Sequence, residues 1–144
     1  MYERTLALIG EDNLNKIKRK NILVLGTGGV GGYAIETLVR SGIQNITIVD
    51  YDKIDYSNIN RQIIANSNNI GNYKVNEWEK RIKEINKDIQ VKKINEKIRG
   101  KVICVFSSEK PNNTNKEVIA SMMPVPSVAG IYAANYILQD IIKK

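Results

Sequence analysis

Residues 22–32 read ILVLGTGGVGG, and this stretch constrains the fold more than any other part of the chain. Four apolar residues, Ile22 to Leu25, make a short buried strand. Gly26, Gly28 and Gly31 then have the spacing G-x-G-x-x-G, with Gly29 and Gly32 beside them. A backbone without Cβ atoms can turn sharply here and approach a phosphate closely. The helix that follows offers free N–H groups and the positive end of its dipole to an anion. A second strand ends in Asp50, about 20 residues past the glycines, where an acid can meet ribose hydroxyls. The chain is therefore expected to bind a nucleotide, or to share ancestry with chains that do.

The remaining pattern extends this unit. Residues 3–18 are expected to be helical with a break near Gly10, followed by strand 22–25, helix 30–41 ended by Gly42, and strand 45–49. Residues 51–72 are polar and without period, and a loop of that length in a compact domain is usually functional. Helix 73–85 carries Val75, Trp78, Ile82 and Ile85 on one stripe, with Trp78 read as core. Residues 89–95 form a weaker strand, and the run VICVF at 102–106 suits a buried one. Residues 107–126 are polar, with a short helical piece at 115–122. The last helix is expected to open at Pro126-Ser127, with Ser127 as its cap, and to run to about 142. Apolar residues cover most of its circumference, which predicts a well-buried helix. The expected fold class is α/β: a Rossmann-like, doubly wound, mainly parallel sheet with helices on both faces, shortened, in one domain spanning 1–144.

Composition removes several chemistries. The 144 residues include no histidine and one cysteine, Cys104. A histidine base, a Ser-His-Asp triad, an internal disulfide and a cysteine-cluster zinc site are excluded. Carboxylates, lysine, arginine, backbone amides and Cys104 remain, and no metal-ligating set is assigned. Cys104 lies among apolar residues, where inert packing is the commoner role for a thiol. No apolar run reaches membrane-spanning length, and residues 1–20 are too polar for a signal peptide, so a cytoplasmic location is expected. The net charge of +7 fits either a solvated lysine-rich surface or an anionic macromolecular partner such as RNA.

A glycine loop alone fits a nicotinamide, a flavin or an ATP enzyme. The next segment separates them. Asp50-Tyr51-Asp52 leads into Tyr56-Ser57-Asn58-Ile59-Asn60-Arg61-Gln62 and then Gly71-Asn72-Tyr73-Lys74. The order of glycine loop, Asp-x-Asp strand end, Ser-Asn-x-x-Arg-Gln stretch and Gly-x-x-Lys helix start resembles the ThiF/MoeB-type adenylating enzymes, bacterial relatives of ubiquitin-activating enzymes. Within that group the chain is most similar to the tRNA threonylcarbamoyladenosine dehydratases. Arg4-Thr5 with Leu8-Ile9-Gly10, Arg40-Ser41-Gly42-Ile43, the cysteine-bearing stretch 104–109 and the helix start at 124–130 carry that similarity. It falls in two blocks, roughly 1–98 and 100–144. The long middle portion of the family, with its metal-handling aspartate, has no counterpart between them. That implies a natural short form, an engineered deletion or a degenerate relative.

The resemblance implies ATP with Mg2+ as cosubstrate and adenylation of a carboxylate. In the dehydratases this is the carboxylate of a threonylcarbamoyl group on tRNA adenosine, which then cyclises with loss of water. It implies roles residue by residue. Gly26, Gly28, Gly29 and Gly31 form the phosphate loop and Asp50 meets the ribose. Asn58, Arg61 and Lys74 contact the triphosphate, and Asp52 either approaches the metal or caps the loop. Arg4 either reaches the active site of a second subunit or is a frayed terminal charge. Some relatives pass acyl or sulfur groups through a cysteine, a role open to Cys104. The implied partners are tRNA and a second copy in a homodimer, with no membrane and no DNA. The alternatives are a non-catalytic nucleotide-binding partner or scaffold and, from the glycine loop and Asp50 alone, a nicotinamide-dependent oxidoreductase. One geometric expectation follows from the shortening: strand 102–106 would lie beside the first strand and bring Ser107, Ser108 and Glu109 to the same crevice.

Overall fold

The computed structural model describes residues 1–97 and 122–143. Strand 102–106 with Cys104, the piece at 115–122 save its last residue, and Ser107, Ser108 and Glu109 lie outside the described residues. Helices α1 (Glu3–Ile9) and α2 (Glu11–Lys18) meet at Gly10 and lead into β1 (Asn21–Leu25). Then come α3 (Gly29–Arg40), β2 (Asn45–Val49), a 3-10 turn at Tyr56–Asn58, α4 (Lys74–Ile85), β3 (Gln90–Ile94) and α5 (Pro124–Lys143).

The three strands are parallel in the order β1-β2-β3. Parallel neighbours need a crossover, and α3 and α4 supply the two. The register aligns Ile22, Ile46 and Val91 in one row and Val24, Ile48 and Lys93 in a row on the same face. The core lies on this face: Ile35, Val39, Ile48, Trp78 and Ile82 belong to it with no more than 1% exposure each. Lys93 reaches Glu79 of α4 at 2.6 Å, which fixes α4 over the same face. On the opposite face Leu23 and Leu25 are exposed by 60% and 41%. Among the described residues the helical cover thus lies over one face, where both had been expected.

Two expectations for α5 are corrected. It begins at Pro124, two residues before the expected Pro126 start. Ser127 is inside the first turn; its hydroxyl donates back to the Pro124 carbonyl at 3.0 Å and its amide to Met123 at 3.1 Å. Proline is suited to the first helical position because the N–H it lacks would have no partner there. Nor is α5 well buried. Gly130, Ala134, Leu138 and Ile141 form its buried stripe, while Val125, Val128, Tyr132 and Tyr136 are exposed. Packing on neighbours that all lie to one side covers one stripe of a helix, whatever its overall hydropathy. The main neighbour is α3, with α2 against the C-terminal part, where Lys16 Nζ donates to the Ile142 carbonyl at 3.3 Å. A Cβ on Gly130 would land on the Val30 carbonyl oxygen and 2.9 Å from Tyr33 Cβ, so the backbones touch at this crossing.

Candidate nucleotide site

The site is built where β1 and β2 end. Gly26 turns the chain with φ of 83° and donates its amide to Val49 at 2.8 Å. Gly31 must lack a Cβ, since one would fall on the Gly26 carbonyl oxygen. The bend is therefore locked against the first turn of α3. Gly28 occupies the N-cap with no side-chain cap. The first intrahelical bond runs from Gly32 to the Gly28 carbonyl at 2.8 Å. The amides of Gly29, Val30 and Gly31 precede it and have no partner within the helix.

Thr27, between these glycines, is fully buried and held from three directions. Its amide and hydroxyl both donate to Asp50 Oδ2, at 2.7 and 2.9 Å, and its carbonyl accepts from the Trp78 indole at 3.1 Å. Asp50 Oδ1 accepts the Asp52 amide at 2.9 Å. The carboxylate expected at the ribose thus also holds the loop, and Trp78 is a loop contact as well as core. Sequence spacing pointed to Asp50 but not to Thr27, whose neighbours gave no signal beyond the glycines around it.

The segment after β2 folds back to the same end. Ile54 donates to Asn72 at 2.8 Å, Gly71 to Ile54 at 2.8 Å, and Lys53 bridges Tyr73 antiparallel. This draws the start of α4 beside β2. Lys74, 5% exposed, places Nζ 2.8 Å from Asp52 Oδ2, while that carboxylate remains half-exposed. Asn58 is buried in the 3-10 turn, where its side-chain oxygen accepts the Asp55 amide at 3.2 Å. Hydrogen bonds from Ser57, side chain first and then amide, hold the Asp55 carboxyl below its ordinary range. The Asn58 carbonyl accepts the amides of Arg61 and Gln62 at 3.1 and 2.9 Å. That turn sets Arg61 and Gln62 against the glycine bend. A Cβ on Gly29 would be 3.7 Å from the Arg61 carbonyl, and one on Gly28 would be 3.5 Å from Gln62 Nε2. The Arg61 guanidinium donates to the Ser57 carbonyl at 2.6 Å and to Asn60 Oδ1 at 2.9 Å.

The structure therefore brings Gly26, Gly28, Gly29, Gly31, Asp50, Asp52, Asn58, Arg61 and Lys74 to one end of the sheet. Arg4 is not brought there within one chain. It is exposed on α1, next to Tyr2, whose hydroxyl bonds the Val39 carbonyl at 3.3 Å. Val39 lies at the far end of α3, about 16 Å along the axis from Gly28 at 1.5 Å per residue. Gln62 is the site residue that the sequence showed only as part of a motif.

This arrangement defines a Rossmann-like α/β domain with a glycine bend at a helix N-terminus and a cationic return loop. More narrowly, the chain belongs to the ThiF family, whose profile matches residues 2–122. Over 90 residues it is 40% identical to the tRNA threonylcarbamoyladenosine dehydratase of Bacillus subtilis, covering 62% of this chain and 35% of that protein. The Haemophilus influenzae protein of the same name is 40% identical over 94 residues, covering 62% and 36%. The chain thus spans little more than a third of these relatives. Among solved structures, the Escherichia coli tRNA N6-threonylcarbamoyladenosine dehydratase in complex with ATP superposes with a TM-score of 0.65 at 38% identity, over 66% of this chain and 39% of that one. Escherichia coli MccB with MccA-N7isoASN gives 0.76 over 91% of this chain and 59% of that one, at 18% identity, a likeness of fold alone.

Proposed function

We propose that this chain is a single ThiF-type nucleotide-binding domain that takes ATP and serves the adenylation of a carboxylate. The carrying observation is the convergence of the glycine bend, Asp50 and Lys74 at one end of the sheet, joined through Thr27 and Asp52. The donor set fits a triphosphate. The unpaired amides at the start of α3 suit its oxygens. Lys74 supplies a point charge and Arg61 a planar fork able to meet two oxygens at once, once its present bonds to Ser57 and Asn60 are exchanged. Asp50, with one oxygen holding Thr27, keeps acceptor capacity on the other for a ribose hydroxyl. Among the described residues no three acids cluster as a metal site. Asp52 is the acid at the mouth of the bend, so a Mg2+ ion would arrive with the nucleotide and meet Asp52 there.

In such a reaction the substrate carboxylate attacks the α-phosphate, pyrophosphate leaves and an acyl-adenylate remains. The substrate brings its own nucleophile, so the protein's residues need only orient the phosphates and balance developing charge. The absence of histidine is compatible with that chemistry.

The carboxylate we infer is that of the threonylcarbamoyl group on tRNA adenosine, a reading supported by the name tRNA threonylcarbamoyladenosine dehydratase that the similar Bacillus subtilis and Escherichia coli proteins carry. A second feature supports an RNA substrate. Lys16, Arg19 and Lys20 are exposed around a shared hollow of about 260 Å³ beside Ile141. None of the three forms an ion pair among the described residues. Such a ridge can replace counterions along a phosphodiester backbone. The deciding experiment is calorimetric titration with ATP and with NAD, followed by ATP–pyrophosphate exchange. ATP binding with exchange supports an adenylating enzyme. ATP binding without exchange leaves a nucleotide-binding relative that acts as a partner. Preference for NAD overturns the proposal.

A further inference from the structure

Three of the chain's seven tyrosines, Tyr51, Tyr56 and Tyr73, are interleaved with the site residues Asp50, Asp52, Asn58 and Lys74, and all three are exposed, by 51%, 74% and 38%. Two of them carry a lysine. Lys53 Nζ lies 5.0 Å from the centre of the Tyr73 ring, and Lys97 Nζ lies 5.8 Å from that of Tyr51. The backbone sets this placement. Lys53 and Tyr73 are antiparallel bridge partners, so their side chains leave on one face. Along 51–55 Tyr51, Lys53 and Asp55 are exposed while Asp52 and Ile54 are further in, the period of an extended segment. Tyr51 therefore shares the face of Lys53. The row across it runs Lys97, Tyr51, Lys53, Tyr73: cation, ring, cation, ring.

Neither lysine forms an ion pair among the described residues. The acids of the segment are engaged elsewhere: Asp50 holds Thr27, Asp52 holds Lys74, and Asp55 Oδ1 accepts the Ser57 amide at 2.8 Å. Rings as exposed as these contribute little to a core, unlike buried Tyr33. A row of rings and cations in alternation fits a chain whose bases stack and whose phosphates recur between them. A duplex offers phosphates too, but its base faces are already stacked on one another.

We propose that Lys97, Tyr51, Lys53 and Tyr73 form a platform for a single-stranded segment of RNA, the rings stacking unpaired bases and the ammonium groups meeting the phosphates between them. This rests on the reading above that RNA carries the carboxylate. A carboxylate borne on a base reaches the α-phosphate only when that base leaves its stack, and the bases beside it then need new surfaces. Tyr51 stands between Asp50 and Asp52, and Tyr73 immediately precedes Lys74, so those surfaces are at the mouth of the nucleotide site. The ridge of Lys16, Arg19 and Lys20 precedes β1, at the other end of the strands, and meets phosphates whatever their pairing. The row adds selection for unpaired bases.

The test is fluorescence anisotropy with a labelled RNA of mixed sequence and no secondary structure, and with a duplex RNA of the same length. The wild type should prefer the single strand. Tyr51→Ala and Tyr73→Ala should each lower single-strand affinity about tenfold, with duplex affinity and calorimetric ATP affinity unchanged within about twofold. Tyr51→Phe and Tyr73→Phe keep the ring and should bind the single strand as the wild type does. Lys53→Gln should reduce the log–log salt slope for the single strand by about 0.7, one phosphate contact. Tyr136→Ala, which removes an exposed ring on α5, should change none of these. Equal loss of single-strand and duplex affinity in the alanine variants overturns the proposal, because the rings would then not be reading bases. A loss of ATP affinity in Tyr51→Ala as large as its loss of RNA affinity overturns it too, since that ring would serve the nucleotide. So does a wild type that prefers polyglutamate to RNA, which would assign the row to an acidic polypeptide. A wild type that binds no RNA removes the RNA reading and this inference together. RNA binding that is the same in the wild type and every alanine variant removes the inference alone.

Discussion

Asp50 Oδ2 accepts two hydrogen bonds from one residue, the amide and the hydroxyl of Thr27, at 2.7 and 2.9 Å. Both lie in a buried setting, so this pair fixes the glycine bend to the end of β2 where water does not compete. Asp50→Ala would leave two buried donors without their acceptor, and the chain should lose about 2–4 kcal/mol of stability. Thr27→Val removes the hydroxyl alone and should cost about 1 kcal/mol. Urea unfolding measures both, and an Asp50→Ala variant as stable as Thr27→Val would mean that the bend is held by other contacts.

Two glycines mark places where the backbone itself is the obstacle. Gly31→Ala would drive a Cβ into the Gly26 carbonyl, and Gly130→Ala would drive one into the Val30 carbonyl at the α3–α5 crossing. Neither obstacle is a flexible side chain, so each change should cost more than about 3 kcal/mol, above the usual range for overpacking. The two should differ in kind. Gly31→Ala distorts the bend and should remove ATP binding even where the fold survives. Gly130→Ala should release α5, seen as loss of amide-exchange protection at 124–143 ahead of the sheet.

Stability should depend on acid through Glu77, at the start of α4. Its carboxylate accepts from Lys80 at 2.6 Å, Asn72 at 3.2 Å and Asn69 at 3.4 Å. The Lys80 hydrogen bond, foremost, holds its pKa below the ordinary 4.5, against burial that would raise it. A carboxyl with a lowered folded pKa contributes stability above its unfolded value, and that share is lost as pH falls through the folded value. Thermal melting should therefore fall off below about pH 4.5, and Gln at position 77 should flatten that part of the curve. An identical slope in the Gln variant would place the acid sensitivity elsewhere.

RNA binding, if it uses the ridge at the end of α2, should be steeply salt-dependent. Changing Lys16, Arg19 and Lys20 together to Ala should lower tRNA affinity at low salt and reduce the log–log salt slope by about 2–3, one counterion per lost phosphate contact. Affinity for ATP should not change, since the ridge precedes β1 and the glycine bend follows it. A slope equal to that of the wild type would move the RNA surface away from α2.

The ordering of strand and helix was readable because it depends on local rules. A break at Gly10, a strand before the glycine run and the stripe Val75-Trp78-Ile82-Ile85 need only near neighbours, and the observed bounds fall within a residue or two of the expected ones. The polar stretch 51–72, without period in the sequence, holds only a 3-10 turn and the Lys53–Tyr73 bridge, since side-chain and turn bonds such as Asn58 to Asp55 satisfy its backbone there. The burial of α5 departs from the expectation for the opposite reason. Hydropathy shows what a helix could bury, while the neighbours present decide what it does bury, and α3 covers only the stripe through Gly130 and Ala134.

By itself, the sequence determined that a strand must stop at Gly26, that a helix must start within three residues, and that Asp50 must stand at the end of the next strand. Those are consequences of steric freedom and spacing along one chain. Tertiary structure alone decided that Asp50 would grip Thr27, that Lys74 would lie against Asp52, and that the Gln62 amide would face Gly28 with its oxygen unpaired. These contacts join residues 22 to 34 positions apart, and no local rule relates them. Their geometry exists only once the parallel sheet has brought its strand ends and return loop together.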